Sequence, residues 1–136
     1  MSRNEHLVIL IDDDNISNML TAETITGIYP IDKVLAFTDP AEGMQAVIHS
    51  LNNKKKIILF LDVNMPGLTG WDVVEALGVF SSTELLNLIR IYMLSSSVDM
   101  KDKIKAYSYQ YVAGYFEKPL EERDFQDILF KRNYIP

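Results

Sequence analysis

Carboxylates, a hydroxyl and one lysine recur directly after short apolar runs, and that placement is the first sign of chemistry. Asp12-Asp13-Asp14 follows the run from Leu7 to Ile11. Asp62 follows Ile57 to Leu61 and leads into Asn64, Met65, Pro66, Gly67 and Gly70. Ser95-Ser96-Ser97 closes a third run, and Lys118-Pro119 a fourth. Brought together, the two acidic clusters set several carboxylates within a few ångströms, and like charges that close cannot all stay ionised without compensation. A hard divalent cation and the lysine are the compensation on offer. Oxygen donors with no His or Cys beside them favour Mg²⁺ (or Mn²⁺) over zinc. An aspartate in such a pocket can act as a nucleophile toward a phosphoryl group and form an aspartyl-phosphate. The cation and Lys118 would neutralise charge on the transferring oxygens, and the Ser95 hydroxyl would hydrogen-bond one of them.

Those residues need a scaffold that delivers them to one place. Leu7 to Ile11 and Ile57 to Leu61 are continuous apolar runs, the pattern of strands buried on both faces. Lys33 to Phe37, Arg90 to Leu94 and Gly114 to Glu117 read as three further strands. Between them the period is helical. Ile16, Met19, Leu20, Ile25 and Ile28 share a face of a first helix capped by Asp14, and Met44, Val47, Ile48 and Leu51 mark a second. Asp39 and Pro40 suit the N-cap and first position of that second helix. Trp71, Val74 and Leu77 mark a third helix. Ile104, Tyr107 and Tyr111 mark a fourth, with Ser97 as its expected cap; helical spacing turns Tyr107 and Tyr111 inward and Tyr109 away. Phe125, Ile128 and Leu129 mark a fifth. Strands alternating with helices imply an α/β fold, a parallel sheet covered on both faces through right-handed crossovers. Ligands of such sheets bind at the carboxyl ends of the strands, where the strand order reverses.

The chain has 136 residues, 48% of them hydrophobic, enough for one domain with its own core and too apolar for a disordered chain. The expectation is a single domain over 1–136 with a core of about 7–130 and no output domain. Its longest unbroken apolar runs are far short of the ~20 residues a membrane-spanning helix needs. Met1 to His6 lacks the apolar stretch of a signal peptide, so a cytoplasmic location is expected. The absence of cysteine excludes a disulfide framework and a Cys-based zinc site. Thirteen basic residues against nineteen acidic leave a net charge of −6, which disfavours nucleic-acid binding. Lys54-Lys55-Lys56 reads as a solvated loop, and His6 and His49 stand isolated.

The order I-D-D-D, L-D-V-N-M-P-G-L-T-G, M-L-S-S and Y-F-E-K-P, from about Leu7 to Phe130, resembles the receiver domain of two-component response regulators. That resemblance implies a flavodoxin-like, doubly wound (βα)₅ fold with strand order 2-1-3-4-5 and helices on both faces. It places the phospho-acceptor at Asp62. Asp13 would be a direct Mg²⁺ ligand together with Asp62 and the Asn64 backbone carbonyl, and Asp12 would act largely through water. Ser95 and Lys118 would complete the catalytic set, Ser95 and Tyr115 the switch, and the Lys118–Pro119 peptide would be cis. The donor would be a histidine kinase or a histidine phosphotransfer protein, and the signal would leave through an unknown protein target on the fourth helix–fifth strand–fifth helix face. No membrane or nucleic-acid partner is expected. The chain would be no enzyme in the ordinary sense, but a phospho-acceptor that catalyses its own phosphotransfer and loses the phosphate slowly.

Two other readings stay open on the residues alone. Asp12 and Asp14 satisfy the D-x-D start of phosphohydrolases of the haloacid dehalogenase type, with Asp12 as nucleophile and Asp14 as general acid. The chain is short for that family, and the stretch after Asp62 would go unexplained. A phosphorylation-independent interaction module is the third reading.

Overall fold

The five apolar runs form one parallel sheet. In the computed structural model, residues 5–97 and 99–130 are described. The strands are β1 (Leu7–Ile11), β2 (Val34–Phe37), β3 (Ile57–Asp62), β4 (Ile89–Ser95) and β5 (Val112–Glu117), in the order β2-β1-β3-β4-β5. Every residue of β3, the central strand, is buried, which is why its sequence is unbroken Ile, Leu and Phe up to Asp62. The helices are α1 (Asn15–Thr26), α2 (Pro40–Asn52), α3 (Gly70–Phe80), a one-turn α4 (Thr83–Leu86), α5 (Met100–Tyr107) and α6 (Glu122–Phe130). Alternate strand residues feed two cores. Ile9, Ile11, Leu59, Leu61 and Met93 pack with α2 and α3 residues such as Val47, Leu51, Val74 and Leu77 on one face. Val8, Leu10, Phe60 and Tyr92 pack with Ile25, Phe125 and Ile128 of α1 and α6 on the other. This is a flavodoxin-like doubly wound α/β fold.

Two helices turn differently from their apolar spacing. In α1 the buried residues are Asn18, Thr21 and Ile25, whereas Ile16, Met19 and Leu20 are exposed. The cause lies outside the helix: Asn18 Nδ2 donates to the carbonyls of Asp12 and Phe37, both at 3.0 Å, so the ends of β1 and β2 draw this polar side chain inward. Carbonyls at the ends of buried strands need donors, and that demand overrides the hydrophobic pattern. In α5 only Ala106 is buried, and Ile104 and Tyr107 face outward. The helix ends at Tyr107, so helical spacing does not relate it to Tyr111. Tyr109 and Tyr111 instead reach α3. Tyr109 stacks on Trp71 with ring centroids 6.3 Å apart and donates to Glu75, and the Tyr111 hydroxyl donates to the Val74 carbonyl at 3.0 Å. The cap of α5 is Asp99, which accepts from the Lys101 amide, and not Ser97.

His6 is not isolated. Arg90 Nη2 lies 3.3 Å from its Nε2, and a guanidinium can only donate, so that nitrogen is the unprotonated one. Burial, reinforced by the Arg90 charge, pulls the imidazole down to about 4. The unfolded chain therefore binds a proton that the folded chain refuses as pH falls from about 6.5 toward 4, and stability falls with it. At about 1.4 kcal/mol per pH unit, lessened by solvent screening of a half-buried ring, the loss is about 1–2 kcal/mol by pH 4.5. His6→Gln is expected to flatten that part of the acid slope. Urea unfolding of both proteins at pH 7 and 4.5 checks it, and parallel slopes would remove His6 as the cause.

Candidate phosphoryl-acceptor site

The site sits at the carboxyl end of the sheet because each of its residues ends a strand or follows one. Asp62 is the last residue of β3 and Ser95 the last of β4, and both are buried. Asp12 follows β1, its amide donating to the Phe37 carbonyl at 3.1 Å, and is also buried. Lys118 follows β5, held by its amide donating to the Ser95 carbonyl at 2.8 Å. The Lys118–Pro119 peptide is cis.

Lys118 joins the two buried carboxylates. Its Nζ lies 2.7 Å from Asp12 Oδ2 and 3.0 Å from Asp62 Oδ1. Asp12 has two further donors: Oδ1 accepts the Asp14 amide at 2.9 Å and Oδ2 accepts the Ser17 hydroxyl at 2.6 Å. Asp13 is exposed at the rim, and carboxylate oxygens of Asp12, Asp13 and Asp62 all lie within 4.8 Å of one another. Asn64 is exposed two residues beyond Asp62. Ser95 Oγ accepts the Ser97 amide at 3.3 Å, which leaves its proton able to donate elsewhere. The Tyr115 ring is packed inward, and its hydroxyl donates to the Ser97 carbonyl at 3.2 Å.

Burial pushes the Asp62 carboxyl up to about 6; the Asp12 and Asp13 charges add to the rise and the Lys118 hydrogen bond opposes it. Burial pulls Lys118 down, but its hydrogen bonds and charge contacts with Asp12 and Asp62 outweigh that and hold it above the ordinary lysine value. Lys118 is therefore a fixed cation at pH 7. Three clustered carboxylates against one ammonium leave about two negative charges unmatched when all are ionised. With oxygen as the only donor type, that excess suits a hard divalent ion.

Three parts of this arrangement have a role that the sequence motifs do not reveal. Ser17 and Asn18, in the first turn of α1, reach Asp12 by its side chain and its carbonyl. A polar pair where an amphipathic helix should show apolar residues was their only trace in the sequence. Gly70 opens α3, behind a capping box of Thr69 and Asp72, where a Cβ would lie 2.4 Å from the Asp62 carbonyl oxygen. Trp71, expected to be packing, is packed, and its Nε1 also donates to Asp102 of α5 at 3.1 Å. Asp14 caps α1, accepting from the Ile16 and Ser17 amides at 2.9 and 3.3 Å.

Comparison with known proteins decides the family. The family described as response regulator receiver domain matches residues 8–130. The chain belongs to that family. A structure of a two-component response regulator from Cytophaga hutchinsonii is 27% identical to this receiver, with a TM-score of 0.81 over 92% of this chain and 93% of that one. A response regulator receiver protein from Dyadobacter fermentans is 22% identical, with a TM-score of 0.77 over 91% of this chain and 94% of that one. The chemotaxis protein CheY4 of Vibrio cholerae, 21% identical, has a TM-score of 0.70 over 91% and 95% of the two chains. Among curated sequences, the sensor protein GacS of Pseudomonas syringae pv. syringae is 23% identical over 123 residues, 90% of this receiver. The receiver spans only 13% of that protein's length. No helix among the described residues is long and apolar enough to cross a membrane.

Proposed function

We propose that this receiver takes a phosphoryl group onto Asp62 in a Mg²⁺-dependent step, from a histidine kinase or a histidine phosphotransfer protein. The observation that carries the reading is Lys118 bridging Asp12 and Asp62 at adjacent strand ends, inside an acidic cluster that one ammonium does not neutralise. An Asp62 oxygen is the nucleophile. Lys118 stands ready to meet charge on the phosphoryl oxygens, and the Ser95 proton is available for one of them. Asp13, Asp62 and the Asn64 carbonyl would hold Mg²⁺ or Mn²⁺, with Asp12 acting through water. The ion would supply positive charge beside the transferring group. The signal would leave by protein contact through the face of α5, β5 and α6, the fourth helix–fifth strand–fifth helix face of the family. Capping by Asp14 and the donors that already hold Asp12, the Asp14 amide, the Ser17 hydroxyl and Lys118, speak against a phosphohydrolase built on that pair.

Intact-mass spectrometry after incubation with acetyl phosphate, with and without Mg²⁺, tests the reading. One phosphoryl addition is expected, dependent on Mg²⁺ and absent from Asp62→Asn. Addition that survives Asp62→Asn but not Asp12→Asn would replace this reading with the phosphohydrolase one. No addition from any donor would leave an interaction module.

Ser95 and Tyr115 are the proposed switch, a two-state element that the phosphate biases only through its differential contacts. Ser95→Ala is expected to keep Asp62 phosphorylatable, within about tenfold of the wild-type rate, since it removes one hydrogen bond. It should blunt the change around Tyr115. Amide spectra before and after phosphorylation check this, and an undiminished response near Tyr115 in the variant would sink the mechanism.

A further inference from the structure

Asp12 Oδ2 is shared between two donors. Lys118 Nζ lies 2.7 Å from it, and the Ser17 hydroxyl donates to the same oxygen from 2.6 Å, while Oδ1 takes the Asp14 amide. Ser17 is carried on a rigid frame. The start of α1 is set by the Asp14 cap, and Asn18 ties the same turn to the carbonyls of Asp12 and Phe37.

Lys118 has two carboxylate partners before transfer, and the charge it must meet moves during transfer. With acetyl phosphate as donor, an Asp62 oxygen bonds to phosphorus as the bond from phosphorus to the acetyl oxygen breaks. Acetate leaves with that electron pair, and the doubly charged phosphoryl group ends on Asp62. The negative charge facing Lys118 then sits on phosphoryl oxygens rather than on the Asp62 carboxylate. An ammonium that turns toward them withdraws a donor from Asp12 Oδ2, and a buried acceptor that loses its donor is costly.

Resting on the phospho-acceptor reading, the geometry points to Ser17 as a positioning residue for the transfer. Its hydroxyl keeps Asp12 Oδ2 satisfied, so that Lys118 can turn from Asp12 to the phosphoryl oxygens. Ser17 touches no reacting atom; it acts through Asp12 and Lys118.

The test follows Asp62 labelling by acetyl phosphate at saturating Mg²⁺ in the full chain. Wild type, Ser17→Ala, Ser17→Thr and Asp62→Asn are compared by intact mass. Ser17→Ala is expected to label about tenfold more slowly, the scale of one hydrogen bond to a charged group, and Ser17→Thr, which keeps the hydroxyl, to recover most of the rate. A second readout needs neither metal nor donor. In Ser17→Ala, the Lys118 ammonium protons should exchange with water more slowly than in wild type by NMR, because Asp12 then leans on the lysine alone. Labelling of Ser17→Ala at the wild-type rate, failure of threonine to rescue a folded protein, or unchanged ammonium exchange would each overturn the proposal. If wild type labels and Ser17→Ala labels equally, only the positioning role falls. If wild type itself takes no phosphoryl group on Asp62, the phospho-acceptor reading falls and carries this one with it.

Discussion

Lys118→Met is expected to slow phosphoryl labelling of Asp62 by about 100-fold or more. Lys118 lies within hydrogen-bond reach of both buried carboxylates and remains charged at neutral pH. A preorganised donor aimed at developing charge contributes roughly 10²–10³ in rate, and methionine keeps the stem while removing the charge. Asp12 would keep its bonds from Ser17 and the Asp14 amide, but Asp62 would lose its ammonium partner. The same substitution should destabilise the metal-free protein at pH 7, because an uncompensated pair of buried acids remains. Added Mg²⁺ should recover part of that stability without recovering the rate. Intact-mass time courses and urea unfolding, each with and without Mg²⁺, separate the two effects. Labelling within about threefold of wild type would contradict the role given to the lysine.

Gly70→Ala is expected to damage fold and site together. A Cβ there would lie 2.4 Å from the Asp62 carbonyl oxygen and 3.0 Å from Val63 Cα. Both are backbone atoms, at the end of β3 and just beyond it, so no side-chain rotation relieves the overlap. The Gly70 amide also donates to the Val63 carbonyl at 3.0 Å, which holds the start of α3 against the end of β3. Relief requires α3 to back away or the strand end to shift. Overpacking of this kind costs about 1–3 kcal/mol and sometimes more. A displacement of Asp62 of order 1 Å can lower transfer about 100-fold. Gly67 supplies the contrast: its φ is +82°, and nothing lies within 4 Å of its missing Cβ. Gly67→Ala should therefore cost only its backbone strain, about 1–2 kcal/mol, with labelling retained. Equal unfolding midpoints for the two variants would show that close approach at Gly70 is not what fixes the strand end.

The raised carboxyl of Asp62 works against His6 in acid. An aspartate held up near 6 takes its proton more readily in the folded chain, so this group adds stability as pH falls from about 6 toward 4. The two residues offset each other in the metal-free protein. For that reason the His6 effect is read from the difference between wild type and His6→Gln rather than from the wild-type acid slope.

The apolar runs and what ends them were legible from the chain alone. A strand such as Ile57 to Leu61 can bury all its residues only in a sheet covered on both faces. In a parallel sheet every strand delivers its last residues to the same end, so Asp12, Asp62, Ser95 and Lys118 had to converge once the strands were recognised. Local capping was equally legible, at Asp14 and at Asp39 before Pro40, because it depends on residues two or three positions apart.

What the sequence could not reveal depends on groups far apart in the chain. The first helix is turned by Asn18 answering carbonyls of Asp12 and Phe37, so of its apolar residues Ile25 is buried and Ile28 packs against the core, while Ile16, Met19 and Leu20 face outward. Tyr109 and Tyr111 are drawn to Glu75 and Val74 of α3, more than thirty positions away. The sharing of Asp12 between Ser17 and Lys118 spans 106 positions on one side and five on the other. Periodicity reports how much apolar surface an element must bury. Which way that element turns is decided by the buried polar groups it must satisfy, and those are assembled only when the sheet closes.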